Sequence, residues 1–392
     1  MTKMVLTGCR IVLDKTIVEH GWLSVDGAHI TGVGEGHPPS AAGHGEHWAV
    51  IGLAGATLVP GFIDLHGHGG GGRSFQEADV GAAAAAVGLH RRHGTTSQLA
   101  SVSTCPPEQM LSAISCLAGA ASSGLISGTH LEGPFLSHER RGAHDPNALR
   151  TPDPSLMAEF LAAGLGTVRV VTIAPELPGA LGLIEMVAAA GVVPAVGHTD
   201  ATEAEARAGF DAGARLATHL FNGMRPLRHR DPGVVAAAVE DERVFVEVIV
   251  DGYHLADSAV RLAHRLVGRD RLVLVTDAMA GAGVGDGRYA LGGRVVDVRN
   301  GRATLADSSS LAGSTLTMDR ALAGAVRAGL SLLDASRAAS WVPARVLGLG
   351  AGRGTLAPGQ RADLVALDQA GRTQAVMLAG EWLLGPDADG QS

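Results

Sequence analysis

Five stretches of the chain place nitrogen and oxygen donors where a divalent cation could collect them. His66 and His68 stand two apart in GFIDLHGHGG, and Glu132 lies in GTHLEG. His198 follows PAVG, His219 follows RLAT and Asp277 follows RLVLVT. A single His at the end of an apolar run is usually a hydrogen-bonded structural residue, and one His-x-His is weak by itself. Donors at equivalent ends of five runs read as a metal site, and imidazole with carboxylate suits Zn first, with Fe, Mn or Co as alternatives.

The elements that must hold these donors recur along the chain. Apolar runs at 58–66, 95–101, 125–133, 168–176, 192–199, 215–222, 244–252 and 271–279 each lead into a polar or small-residue end and then a helical, Ala-rich stretch. Eight such units predict an α/β fold, a (β/α)8 TIM-type barrel over 58–349, whose active site forms at the C-terminal ends of its strands. Alternation along an extended chain lets His66 and His68 both face inward. Residues 280–317 read as a hairpin insertion after the last strand. Residues 1–57 and 350–392 are strand-rich, with Asp26-Gly27 a hairpin signal, and they predict one small β-sandwich domain formed from both chain termini.

The composition narrows the function. The 392 residues carry a net charge of −8 with 46% apolar residues, which argues against a nucleic-acid partner and against bulk disorder. No apolar run is long enough to span a bilayer, so no membrane partner is expected. The first residues lack a signal-peptide core, which predicts a cytoplasmic protein. Cys9, Cys105 and Cys116 have no metal-ligand spacing and read as reduced thiols. There are 17 His among these residues, but the only lysines are Lys3 and Lys15. No barrel strand can therefore supply a carbamylated lysine to bridge two metals. Glu132 is the obvious substitute, because the ions of such sites lie roughly 3.5–4 Å apart, within a carboxylate's reach.

PGFIDLHGHGG (60–70), HLEGPF (130–135), GHTDAT (197–202), THLFNGM (218–224), DGYHL (251–255), VTDAM (275–279) and LAGSTLTM (311–318) together resemble the N-acetylglucosamine-6-phosphate deacetylases of the amidohydrolase superfamily. The resemblance runs over nearly the whole chain. It implies removal of acetate from N-acetylglucosamine-6-phosphate, with Glu132, His198 and His219 holding one metal. The retained His66 and His68 imply a second ion, with Glu132 bridging and Asp277 nearby. The resemblance gives Asp277 the role of general base and then general acid, and His144 that of a donor to the oxyanion. For the sugar phosphate it implies the backbone at Asn222 and Gly223, His254, Arg230, Ala143 and Leu311. It also implies a homodimer in which Arg230 reaches the neighbouring active site.

The remaining histidines divide by place. His20, His29, His37, His44 and His47 fall in the terminal β region, and His90, His93 and His264 on helices, all as surface or structural residues. His130, two before Glu132, reads as a partner behind the ligands, while His138 and His229 are candidates for the entrance. Arg225 and Arg228 read as surface charges. Gly69–Gly72 lacks the Lys-Ser/Thr partner of a phosphate cradle and reads as a turn behind the His pair. Other readings are a cyclic amidase, a deaminase or a dipeptidase of the same superfamily, or a non-catalytic sugar-phosphate binding barrel. HLEGPF with THLFNGM argues against the deaminases, and an intact Asp277 against a decayed site.

Overall fold

The computed structural model describes residues 3–38, 48–308 and 310–386. His44 and His47 lie outside the described residues. Eight parallel strands form one sheet in chain order: Phe62–Asp64, Thr95–Ser103, Gly128–Glu132, Val168–Ile173, Val193–Val196, Leu216–Ala217, Phe245–Ile249 and Leu272–Val275. The chain continuing past the first and last of them closes the barrel. His68 N donates to Ala278 O at 2.7 Å and Asp277 N to His66 O at 2.8 Å, so both ends of the sheet meet at metal-ligand candidates.

These strands read as apolar runs because both faces are covered, as parallel sheets require. Val170, Val171, Ile173, Val246, Val248, Leu272 and Leu274 are fully buried. The helices between them begin at local signals. Asp153 caps Pro154–Ala163 through its side chain, and Thr202 with Glu205 forms a capping box on Glu203–Asp211. The sixth strand is shorter than its sequence suggests. Pairing covers only Leu216–Ala217, because His219 and Phe221 turn into positive φ (29° and 76°) and leave the ladder.

After the eighth strand, Gly287–Leu291, Arg294–Arg299 and Arg302–Leu305 form a three-stranded antiparallel sheet within the expected insertion. Leu291, Val296, Val298, Ala303 and Leu305 make its core with Met279 and Ala312, and Ala143 packs against it.

Strands from both chain ends form a second eight-stranded sheet: Lys3–Val12, Ile17–Asp26, His29–Glu35, Ala49–Gly52, Thr57–Pro60, Leu364–Leu367, Thr373–Leu378 and Glu381–Leu384. Asp26 pairs with His29 across a turn in which Gly27 takes φ 57°, the hairpin that Asp26-Gly27 signals. Leu6, Ile11, Leu23, Leu58, Leu364 and Met377 share its core. Among the described residues, one compact unit falls within Asp64–Leu89 and Gln98–Thr317 and the other within 3–63, His90–Ser97 and 318–386. The helices from Met318 onward group with the terminal strands.

Candidate metal centre and active site

All six expected donors converge. His66, His68 and Asp277 form one group and Glu132, His198 and His219 another, each with ligand atoms within 4.8 Å of one another. Glu132 joins the two. Its Oε1 lies 3.3 Å from His66 Nε2, 3.1 Å from His198 Nε2 and 3.3 Å from His219 Nε2. Its Oε2 faces His68 Nε2 at 3.2 Å and His144 Nε2 at 3.3 Å. Asp277 Oδ1 stands 3.2 Å from His68 Nε2 and 3.5 Å from His66 Nε2.

Three donors leave ordinary backbone geometry to reach this point. His198, His219 and Asp277 have φ of 47°, 29° and 48°, the left-handed region that side chains other than glycine rarely adopt. Each stands just past a strand end, where the turn swings its side chain over the barrel mouth. Gly223, at φ 56°, must also stay bare, since a Cβ there would come within 2.9 Å of His198 Nδ1.

Contacts behind the rings fix which nitrogen faces the centre. His198 Nδ1 donates to Arg140 O at 2.9 Å and His219 Nδ1 to Asn222 O at 3.1 Å. A neutral ring that donates from Nδ1 carries its lone pair on Nε2. Yet those two Nε2 atoms are 3.1 Å apart, and the Nε2 atoms of His66 and His68 are 3.2 Å apart. Two lone pairs, or two N–H groups, held nose to nose repel, and a cation between the nitrogens converts the same geometry into ligation. The donor set therefore fits divalent metal, with histidine partners of the kind that orient ligands.

His144 differs from these four. Its Nδ1 accepts from the Thr104 backbone N–H at 3.3 Å, so its proton sits on Nε2, pointing at the centre. Burial pushes its value down to about 4, which keeps the ring neutral and the Nε2–H available as a donor. Around the carboxylates the balance goes the other way. Burial alone would raise Glu132, but His66, His144 and His198 hold it well below the usual carboxylate range. Burial would likewise raise Asp277, and His66 and His68 pull it down.

Several supports were not singled out in the sequence. Ser103 Oγ lies 3.0 Å from His68 Nδ1, and Glu247 Oε2 accepts from His66 Nδ1 at 3.2 Å. Asp64 accepts from Thr276 Oγ1 at 2.6 Å and from the backbone N–H of His66, and burial lifts its carboxyl to about 6. The one available signal was compositional: Glu247 is a lone charge inside VFVEVIV, and Asp64 another inside PGFIDLH. His130, fully buried, bonds Ser101 and Thr172 and sets its ring 4.5 Å from that of His66, edge to face. It backs the ligands as its spacing suggests.

The centre opens into a cavity of about 290 Å³. Ala143, His144, Asn222, Gly223, His254 and Leu311 line it, with Ile249, Leu291 and Gly292. Nδ1 of His254 donates to Asp251 at 2.8 Å; burial would lower this imidazole, and Asp251 raises it above its ordinary value. Arg230, His138 and His229 are exposed and do not line the cavity. Arg225 is no simple surface charge: it is half-buried, bonded to Asp200 and Asp231 at 3.0 Å each. Gly69–Gly70 pairs with Arg73–Ser74, so the glycine run is a formed hairpin turn.

This barrel, with its paired His/carboxylate groups at the strand ends, defines a metal-dependent hydrolase. Residues 57–383 match the amidohydrolase family, and the chain belongs to it. Membership implies a divalent metal, which the two donor groups fit. The chain is 39% identical over 341 residues to N-acetylglucosamine-6-phosphate deacetylase of Bos taurus, covering 83% of each. To N-acetylgalactosamine-6-phosphate deacetylase of Escherichia coli O157:H7 it is 37% identical over 330 residues, 83% of this chain and 87% of that one. A mutant N-acetyl-D-glucosamine-6-phosphate deacetylase from Mycobacterium smegmatis, solved in complex with N-acetyl-D-glucosamine-6-phosphate, matches with TM-score 0.93 and 47% identity, covering 98% of this chain and 100% of that one. No helix among the described residues is long and apolar enough to cross a membrane.

Proposed function

We propose that the chain hydrolyses N-acetylglucosamine-6-phosphate to glucosamine-6-phosphate and acetate. The observation that carries this reading is the division of the buried imidazoles by tautomer. His198 and His219 turn lone pairs to the centre, while His144 turns a proton to it. That inward proton faces Glu132 in the structure and is in place to donate to an oxygen that becomes negative beside the metals.

Bound divalent metal, zinc in our reading, supplies polarisation of the acyl oxygen and acidification of water from a pKa of about 15.7 towards ~7. The side chains do the rest. Asp277, held ionised, takes the proton of the attacking water and returns it to the amine nitrogen, which otherwise leaves poorly. His144 Nε2–H donates to the oxygen that becomes negative as the tetrahedral centre forms. His254, Asn222 and Gly223 meet the phosphate end, and Ala143 and Leu311 border the sugar. We further propose a homodimer, acting in the cytoplasm, in which Arg230 supplies phosphate charge to the partner's cavity. Its exposure and its absence from the lining of its own cavity support that placement.

The test is acetate release from N-acetylglucosamine-6-phosphate by purified protein across Zn, Fe, Mn and Co, with the galactosamine epimer run beside it. Release that prefers the gluco sugar supports the reading. A preference for the epimer changes the substrate, and no release with any metal overturns the assignment.

A further inference from the structure

Glu247 is a carboxylate 1% exposed in the middle of the seventh barrel strand, Phe245–Ile249, one inward position below Ile249, which lines the cavity. No role in the chemistry above uses it. A buried charge is costly unless paired, and its partners here are specific. Oε2 accepts from His66 Nδ1 at 3.2 Å and from the backbone N–H of His219 at 3.3 Å. One oxygen thus touches a residue of each donor group, the ring of His66 in one and the main chain of His219 in the other.

We propose that Glu247 is a positioning residue that equips the His66–His68–Asp277 group to hold its ion; this rests on the two-ion reading given above. By accepting the hydrogen bond from His66 Nδ1–H it commits the Nε2 lone pair to the centre, and its charge makes that imidazole a stronger donor. His198 and His219 instead donate from Nδ1 to neutral backbone carbonyls. Among the four His ligands whose Nδ1 contacts are described, His66 is the one backed by a carboxylate. Glu132, Asp277 and Glu247 together set three negative charges against the four positive charges of two divalent ions. Glu247 adds its charge without occupying a coordination position. Its contact with His219 N also steadies the turn that carries a ligand of the other ion.

A structural role alone would be met by glutamine, whose side-chain oxygen accepts the same two hydrogen bonds. Glu247→Gln therefore separates charge from shape. Zinc content after dialysis against a graded chelator, read without substrate, should show two ions in the wild type. In E247Q one ion should become about 10–100-fold easier to remove, with the second ion little changed and the metal-free protein melting as the wild type does. His66→Ala identifies the ion affected: it should lose the same one. Should E247Q fail to fold, Glu247→Asp keeps the charge but draws it out of reach of His66, and should loosen the same ion. Wild-type zinc retention in E247Q, or in the folded E247D, overturns the proposal. So does a wild-type protein that holds one ion. Two ions with the expected loosening but no acetate release would leave this inference standing and remove the substrate assignment.

Discussion

The backbone N–H of Thr104 donates to Nδ1 of His144 across 3.3 Å, and so places the proton of that ring on the side facing Glu132. The Arg140 carbonyl does the reverse for His198, 2.9 Å from its Nδ1. Two buried rings whose centroids are 4.5 Å apart, edge to face, are thereby given opposite polarity at the same centre.

Removing the His144 donor should cost turnover and spare metal. His144→Ala is expected to lower kcat by roughly 10²–10³, the range for loss of one oxyanion donor. Zinc content should match the wild type, and KM should move little. Loss of metal alongside activity would make His144 a ligand.

Asp277→Asn should lose roughly 10²–10⁴ in kcat through loss of proton transfer. The amide keeps an oxygen for the ion, so metal retention, measured by elemental analysis, should fall much less than turnover. Near-normal turnover in this variant would remove Asp277 from the proton path.

His254 makes a pH prediction. Its value is raised on folding by Asp251, so it is cationic below its ordinary value and loses that charge as pH rises through the raised one. KM for the phosphorylated sugar should therefore climb from neutral to mildly alkaline pH. His254→Gln should start with a higher KM and show a flatter profile; parallel profiles would exclude His254 from anion binding.

Arg230→Ala should raise KM for the phosphorylated sugar by roughly 10–100-fold, matching about 1.5–3 kcal/mol for a charge-assisted hydrogen bond. The unphosphorylated sugar should be unaffected. Mixing this variant with Asp277→Asn should recover low-substrate activity if Arg230 serves the neighbouring subunit. No recovery in demonstrated mixed dimers would place it elsewhere.

Much of the centre was legible because its donors end apolar runs. His66, His68, Glu132, His198, His219 and Asp277 could be read from one dimension, since a barrel turns strand ends into neighbours. The supports were harder to read. Ser103, Thr104 and Glu247 meet their histidines through strand register across the barrel, and sequence distance carries none of that: His66 and Glu247 are separated by 181 positions. The run 215–222 reads as one strand, yet only Leu216–Ala217 pair, because His219 and Phe221 take positive φ. Arg225 looked like one more surface cation because Asp200, 25 positions away, gave no local sign of being its partner.

The left-handed backbone at His198, His219 and Asp277 sets durability against chemistry. Conformations of this kind cost of order 1–3 kcal/mol each in residues that carry a side chain. Glycine would occupy all three positions at ease and offer no donor to the centre. A glycine at any of the three would relax the backbone and remove a ligand in the same change, so the stability given up there is inseparable from what the side chains do once the chain has folded.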